Sequence, residues 1–248
     1  MMTIKSEADF AAMRRAGRIV ARIHEALRDA ASPGVSLLDL DAIAARIVRD
    51  GKTTSNFLGY HGFPAVTCLS VNEEIVHGIP SARRLEEGDI LSVDAGAVYE
   101  GWHADGAITF PVGAVPEETS RLLAVTEKAM WAGIEAATIG TRIGDLGAVI
   151  GAVAEEAGYG IVRDYTGHGI GRAMHEEPQI PNFGRPGTGM RLRRGMAVCL
   201  EPMFNLGGDD TRVLEDGWTV VTADGSLSAH FEHTVAITPD GPQVLTLA

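Results

Sequence analysis

Residues 85–110 read "LEEGDILSVDAGAVYEGWHADGAITF". Two apolar runs, each carrying one aspartate, flank the short loop at Tyr99, Glu100 and Gly101. Such runs around a glycine-containing loop form a β-hairpin. Paired positions of a hairpin have a constant sum, so a turn centred between Tyr99 and Glu100 sets Asp94 opposite Asp105. Directly opposed Cβ atoms lie roughly 4.5–5.5 Å apart, and like charges there destabilise the pair unless a cation lies between them. An edge hairpin with both aspartates in water is the competing reading.

The start of this stretch occurs a second time. "LEEGDILSVD" (85–94) returns as "LRRGMAVCLE" (192–201) at an offset of 107, each ending on a carboxylate. "ASPGVSLLDL" (31–40) returns as "ATIGTRIGDL" (137–146) at an offset of 106, sharing Ala, Gly, Asp and Leu. Between them, "HGIP" (77–80) parallels "HGIG" (168–171). Each match is weak alone, but three in one order describe an internal duplication. The periodicity agrees. Helices expected over residues 6–31, with Ser6 and Asp9 spaced as a capping box, and over 36–50 precede strand-like segments across 65–110. Helices over about 117–137 and 142–157 then precede a strand-rich final third, with turns at Asp216-Gly217 and Asp224-Gly225. The expectation is one α+β domain over residues 1–248, with halves of roughly 1–113 and 114–248 whose equivalent positions face one site.

Glu201 and Glu232 argue against solvated carboxylates. The first lies in "MAVCLEPMF" and the second in "SAHFEHTVAI", both strand-like. An unpaired ionised carboxylate inside a packed strand costs several kcal/mol or takes up a proton. Four such groups and His168 make a plausible ligand set, and four negative charges balance two divalent cations. Oxygen ligands with one imidazole suit Mn, Fe, Co or Zn better than Ca. Activation of a bridging water is the natural use of such a pair. His168 and His175 lie in "TGHGIGRAMHEEPQIPN" (166–182), where glycines and prolines oppose a helix. On a straight strand their odd spacing sends them to opposite faces, so the segment reads as an ordered loop or bent strand whose two rings need not share an ion. "HEEPQ" lacks the second histidine of a zinc helix, "GHGIGR" precedes prolines rather than a helix, and no nucleophile elbow is present.

Bulk properties narrow the class. The 248 residues are 45% hydrophobic and 22% charged, with a net charge of −12 that opposes general nucleic-acid binding. The opening "MMTIKSEADFAAMRR" lacks the apolar core of a signal peptide, and no run reaches membrane-spanning length. Cys68 and Cys199, each in an apolar run, read as free buried thiols in a reducing compartment. A cytoplasmic location is expected.

Five blocks, in order and over nearly the whole chain, resemble the type I methionine aminopeptidases of the pita-bread metallopeptidase family M24. They are "GYHGFPAVTCLSVNEEIVHGIP" (59–80), "VDAGAVYEGWHAD" (93–105), "GHGIGRAMHEEPQIPN" (167–182), "EPM" (201–203) and "DGWTVVTADGSLSAHFEHT" (216–234). The resemblance implies the pita-bread fold: two pseudo-symmetric halves with antiparallel sheets flanked by helices, and a dinuclear metal site between them. It implies that Asp94 chelates one metal, that His168 and Glu201 bind the other, and that Asp105 and Glu232 bridge both. His175 would contact substrate and stabilise the oxyanion, His77 would hydrogen-bond near the scissile amide, and Glu201 would also carry a proton. Tyr60, Phe63, Cys68 and Trp218 would enclose the methionine side chain, and Asn72 and Ser228 match positions near a monovalent cation in some members of the family. The implied reaction is removal of initiator methionine from nascent chains with a small second residue, by attack of a metal-bridging water or hydroxide. The implied setting is a monomer acting on nascent N-termini at the ribosome, with two divalent ions per chain (Co, Mn, Fe or Zn), no nucleic-acid specificity and no membrane.

Three departures from the family pattern involve four positions. Met174 stands where phenylalanine is usual, Gly106 and Ala107 replace a hydroxyl residue after the bridging aspartate, and His230 stands where glutamine is common. His103, His233, Trp102 and Trp131 read as structural. Two rivals are a pita-bread peptidase cleaving before proline, which usually carries a further N-terminal domain, and a metal-free binding relative, which retention of all five ligands opposes.

Overall fold

The structure, a computed structural model, describes residues 2–248. Four helices carry the outer layer: α1 (Glu7–Ala30), α2 (Leu37–Asp50), α3 (Glu117–Ala136) and α4 (Ile143–Ala157). The first two begin with the same device. Ser6 accepts a hydrogen bond from the Asp9 amide while the Asp9 carboxylate accepts one from the Ser6 amide, and Ser36 and Asp39 repeat the exchange. Each box satisfies two amides that the first turn leaves without intrahelical partners. The buried stripe of α1, including Met13, Val20 and Leu27, follows the helical repeat and faces the sheet.

The main sheet has nine strands. The strands Ile90–Tyr99 and Trp102–Pro111 pair along their whole length, from Ile90 opposite Pro111 to Tyr99 opposite Trp102. The turn is therefore centred between Glu100 and Gly101, and the expected opposition of Asp94 and Asp105 is wrong. Asp94 faces Ala107, and Asp105 faces Gly96. Glu100 and Gly101 have φ of 51° and 74°, the two left-handed positions of a tight hairpin loop that matches strand twist. Moving the turn centre by one residue shifts each partner by two, so both aspartates stay on one face as diagonal neighbours.

The strand Glu232–Thr238 joins this hairpin to the rest of the sheet. On one side Glu232 pairs with Ala107 and His233 with Gly106. On the other, His233 pairs with Leu200 and Thr234 with Cys199 of the strand Ala197–Leu200. Beyond it lie Gly167–Gly169 and Glu176–Ile180, the latter at the sheet edge. Where the central ladder ends, the Thr234 hydroxyl takes over: Oγ1 accepts from the Asp105 amide at 2.9 Å and donates to the Asp105 carbonyl at 2.8 Å. Gly106 allows α1 to approach, since a Cβ there would lie 3.2 Å from Val20 Cγ1 and 3.4 Å from His24 Cε1. Buried His24, kept neutral by burial with a pKa of about 3, donates from Nε2 to the Gly106 carbonyl at 3.0 Å.

Candidate active site

The register brings the carboxylates together. Asp94, Ala107 and Glu232 form one row across three strands, with only a methyl group between the two acids. Asp105 lies two positions from Ala107 and so projects from the same face. Carboxylate oxygens of Asp94, Asp105 and Glu232 fall within 4.8 Å of one another. Glu201 immediately follows the strand Ala197–Leu200, and its Oε1 is 3.5 Å from Nε2 of His168. All five residues line one cavity of about 190 Å³.

Burial makes this cluster unfavourable as it stands. Asp94 is pushed up to about 8 by removal from water. Burial first, then the neighbouring carboxylates, raises Asp105, Glu201 and Glu232 well above the usual carboxylate range. Asp94 Oδ1, Glu201 Oε1 and Glu232 Oε1 are buried with no hydrogen-bond partner among the described residues. Unsatisfied buried carboxylate oxygens are rare and need compensation. Divalent cations among them would supply both the missing contacts and the missing charge, so the donor set fits metal.

The two histidines of the 166–182 segment differ in their fixed nitrogen. His168 lies on the short strand Gly167–Gly169, and its Nδ1 contacts the Gly169 carbonyl at 2.9 Å. A carbonyl only accepts, so Nδ1 carries the hydrogen and Nε2 offers its lone pair toward Glu201. Burial lowers its pKa to about 3 and keeps it neutral. His175 lies in the bend before Glu176–Ile180, its ring centroid 4.3 Å from that of His168. Its Nδ1 is 2.9 Å from the Tyr60 hydroxyl, leaving Nε2 for another partner. The segment is thus neither a simple loop nor one bent strand: Gly167–Gly169 and Glu176–Ile180 pair antiparallel with each other, and the chain reverses through the bend between them. His77, at φ 61°, borders the same cavity between the rings of Tyr165 and Trp218, at centroid distances of 5.5 and 6.3 Å.

An apolar wall adjoins the acids. Phe57, Phe63, Ala65, Cys68 and Met174 form a buried cluster, with Tyr60, Ile79 and Trp218 packed against it. Phe63 meets Trp218 edge-on at 5.1 Å and Phe57 at 6.4 Å. Tyr60, Phe63, Cys68 and Trp218, expected as pocket residues, are all here, and Met174 fills the wall position noted as a departure. Phe57, Tyr165 and His230 also line the cavity and were not anticipated as site residues. For His230, the exchange of glutamine for a second imidazole was the available signal. It is buried, neither ring nitrogen has a hydrogen-bond partner among the described residues, and Nε2 is 3.8 Å from Glu201 Oε2. His103, His233, Trp102 and Trp131 do not line the cavity. Asn72 and Ser228 lie outside it as well, and the Ser228 amide donates to the Asn72 carbonyl at 3.0 Å. Both cysteines are free and buried.

Comparison with known proteins agrees with this geometry. Residues 11–239 match metallopeptidase family M24. Methionine aminopeptidase 1 of Mycobacterium tuberculosis is 50% identical over 98% of this chain and 94% of its own length. The methionine aminopeptidase of Clostridium acetobutylicum is 48% identical over 100% of this chain and 99% of its own. The crystal structure of methionine aminopeptidase from Thermotoga maritima superimposes with a TM-score of 0.98 at 43% identity, each chain covered completely. The fold is the pita-bread fold that the sequence blocks implied. With its buried acids, its free imidazole nitrogen and these full-length likenesses, the chain belongs to metallopeptidase family M24 and, within it, to the methionine aminopeptidases.

Proposed function

We propose that the protein removes the initiator methionine from nascent chains whose second residue is small, using two divalent ions held by Asp94, Asp105, His168, Glu201 and Glu232. One observation carries this reading: the acid cluster and an apolar, largely aromatic wall share a single cavity. The ions would supply an acidified water and a Lewis acid for the scissile carbonyl. Co, Mn, Fe and Zn all suit the donors, and Asn72 and Ser228 remain the candidate neighbours of a monovalent cation.

The chain's own residues divide the remaining work. The aromatic and sulfur groups of Phe63, Trp218, Tyr60 and Cys68 receive the methionine side chain, for which thioether–aromatic contact is favourable. His77 holds the scissile amide. When the Tyr60 hydroxyl donates to Nδ1 of His175, the hydrogen of that imidazole resides on Nε2, where it can donate to the developing oxyanion. Glu201 carries a proton from the nucleophile to the leaving amine, a role favoured by a carboxylate whose proton affinity burial has raised. We take the chain as one catalytic domain with halves of roughly 1–113 and 114–248, supported by the repeated order of two helices followed by strands. Nascent N-termini at the ribosome are the proposed substrate, met by a cytoplasmic monomer. Among the described residues no helix is long and apolar enough to cross a membrane.

The test is hydrolysis of Met-Ala and Pro-Ala peptides before and after chelation. Turnover of Met-Ala should vanish with the metal and return with Mn, Co or Fe. Full activity in a rigorously metal-free preparation, or equal rates on both peptides, would overturn the assignment.

A further inference from the structure

Glu176 follows His175 directly but does not line the catalytic cavity. Its buried carboxylate gathers five donors from two parts of the chain. From the segment ahead of α1 come the Thr3 amide at 2.8 Å, the Thr3 hydroxyl at 2.7 and 2.9 Å, and Lys5 Nζ at 3.2 Å. From the bend that carries Met174 and His175 come the Arg172 amide at 2.8 Å and the Ala173 amide at 3.4 Å. Lys5 is as buried as its partner, at 5% exposure against 6%, and also donates to the Thr3 carbonyl at 2.9 Å. Its amide ties the segment to the Gly195 carbonyl at 2.7 Å. Gly171 completes the fit, since a Cβ there would lie 2.4 Å from Thr3 Oγ1 and 2.6 Å from Glu176 Oε1.

The outer side of the bend is held separately by the hairpin. Arg172 lies over the Trp102 ring at 4.0 Å and donates to the Glu100 carbonyl at 2.8 Å, while the His103 amide donates to the Gly171 carbonyl at 2.9 Å. A buried ion pair is a poor source of stability, because an apolar pair of similar volume often serves as well. What it does supply is direction: charge-assisted bonds fix a carboxylate, and that carboxylate fixes two amides of the bend. We infer that residues 3–5 are a positioning strap, in which Thr3 and Lys5 act through Glu176 to set the placement of His175 for catalysis. The inference rests on His175 being the oxyanion donor proposed above. An error of about 1 Å in such a group can lower turnover roughly a hundredfold.

The experiment measures kcat, KM and bound metal per chain for Lys5→Met, Thr3→Val and Thr3→Ser, each in the wild-type and His175→Ala backgrounds. Lys5→Met and Thr3→Val should lower kcat at least about tenfold with metal content unchanged, whereas Thr3→Ser, which keeps the hydroxyl, should retain it. In the His175→Ala background none should lower kcat further, because groups acting through one residue are not additive. If Lys5→Met does not fold, the Thr3→Val and Thr3→Ser pair decides. Wild-type kcat in the strap variants, or losses that multiply with that of His175→Ala, would overturn the strap. A His175→Ala enzyme of wild-type kcat would instead overturn the role of His175, and the strap with it.

Discussion

Removing the metal should make this protein less stable at pH 8 than at pH 7. In the unfolded chain Asp94, Asp105, Glu201 and Glu232 are fully ionised at pH 7, since ordinary carboxylates titrate near about 4. In the metal-free fold, Asp94 is pushed up to about 8 and the other three are raised well above their usual range. A raised folded pKa contributes stability below the unfolded pKa, and that contribution is lost as pH rises toward the folded value. Buried histidines act in the opposite direction. Burial lowers His24, His168 and His230 to about 3 and His77 and His233 to about 4, so their contribution grows with pH and is nearly complete by pH 7. From pH 7 to 8 the unfolded histidines release only the last of their protons, roughly 0.1 per ring on average, which offsets part of the carboxylate slope without reversing its sign. One proton held only by the folded state gives about 1.4 kcal/mol per pH unit, or roughly 3–6 °C in Tm for a chain of this length. Each further retained proton adds a similar amount. Metal binding needs the ionised cluster and displaces these protons, so Mn or Co should remove the slope. Thermal melting by circular dichroism, with chelator or with metal at both pH values, reads the effect. A chelated protein whose Tm is unchanged or higher at pH 8 would refute the account.

The remaining predictions concern the histidines and the pocket wall. His168→Ala should lose activity through loss of metal and recover partly in excess Mn or Co. His175→Ala should keep its metal and fold, with kcat lower by roughly 10²–10³, the usual effect of removing one oxyanion donor. Full recovery of His175→Ala on metal addition would make both histidines ligands. Met174, flexible where phenylalanine is usual, should relax discrimination against leucine and norleucine, for which one methylene of misfit is worth about 1–3 kcal/mol. Met174→Phe should sharpen it, and an unchanged ratio of kcat/KM for Met-Ala over norleucyl-Ala would remove Met174 from side-chain selection.

The site was legible because its chemistry contradicts its surroundings. Glu201 in "MAVCLEPMF" and Glu232 in "SAHFEHTVAI" are charges where the periodicity demands a core, and that conflict is visible in one dimension. The helices were legible for a related reason: Ser6 and Asp9 announce a start that the following apolar repeat confirms. The hairpin register was not. It depends on Glu100, a non-glycine residue, adopting φ of 51°, which no local pattern signals. Phe57 and Tyr165 escaped notice because they lie outside periodic segments and reach the cavity only through packing. Glu176 lies within a recognisable block, but its partners at Thr3 and Lys5 come from 173 and 171 residues earlier in the sequence. Long-range polar pairing of that kind has no period to read.

The two ladder pairs that join Ala107 to Glu232 and Gly106 to His233 have a consequence for the order of assembly. Asp94 and Asp105 lie on one hairpin, whereas His168, Glu201 and Glu232 arrive only with the later strands. A nascent chain that has folded the hairpin alone presents two carboxylates without nitrogen or bridging partners, a poor trap for a transition metal. With the proposed ligand set, full affinity would appear only when the seam closes. Metal held by all five residues, as proposed, would act as a rivet across that seam, and its release rate should report how often the two sides part.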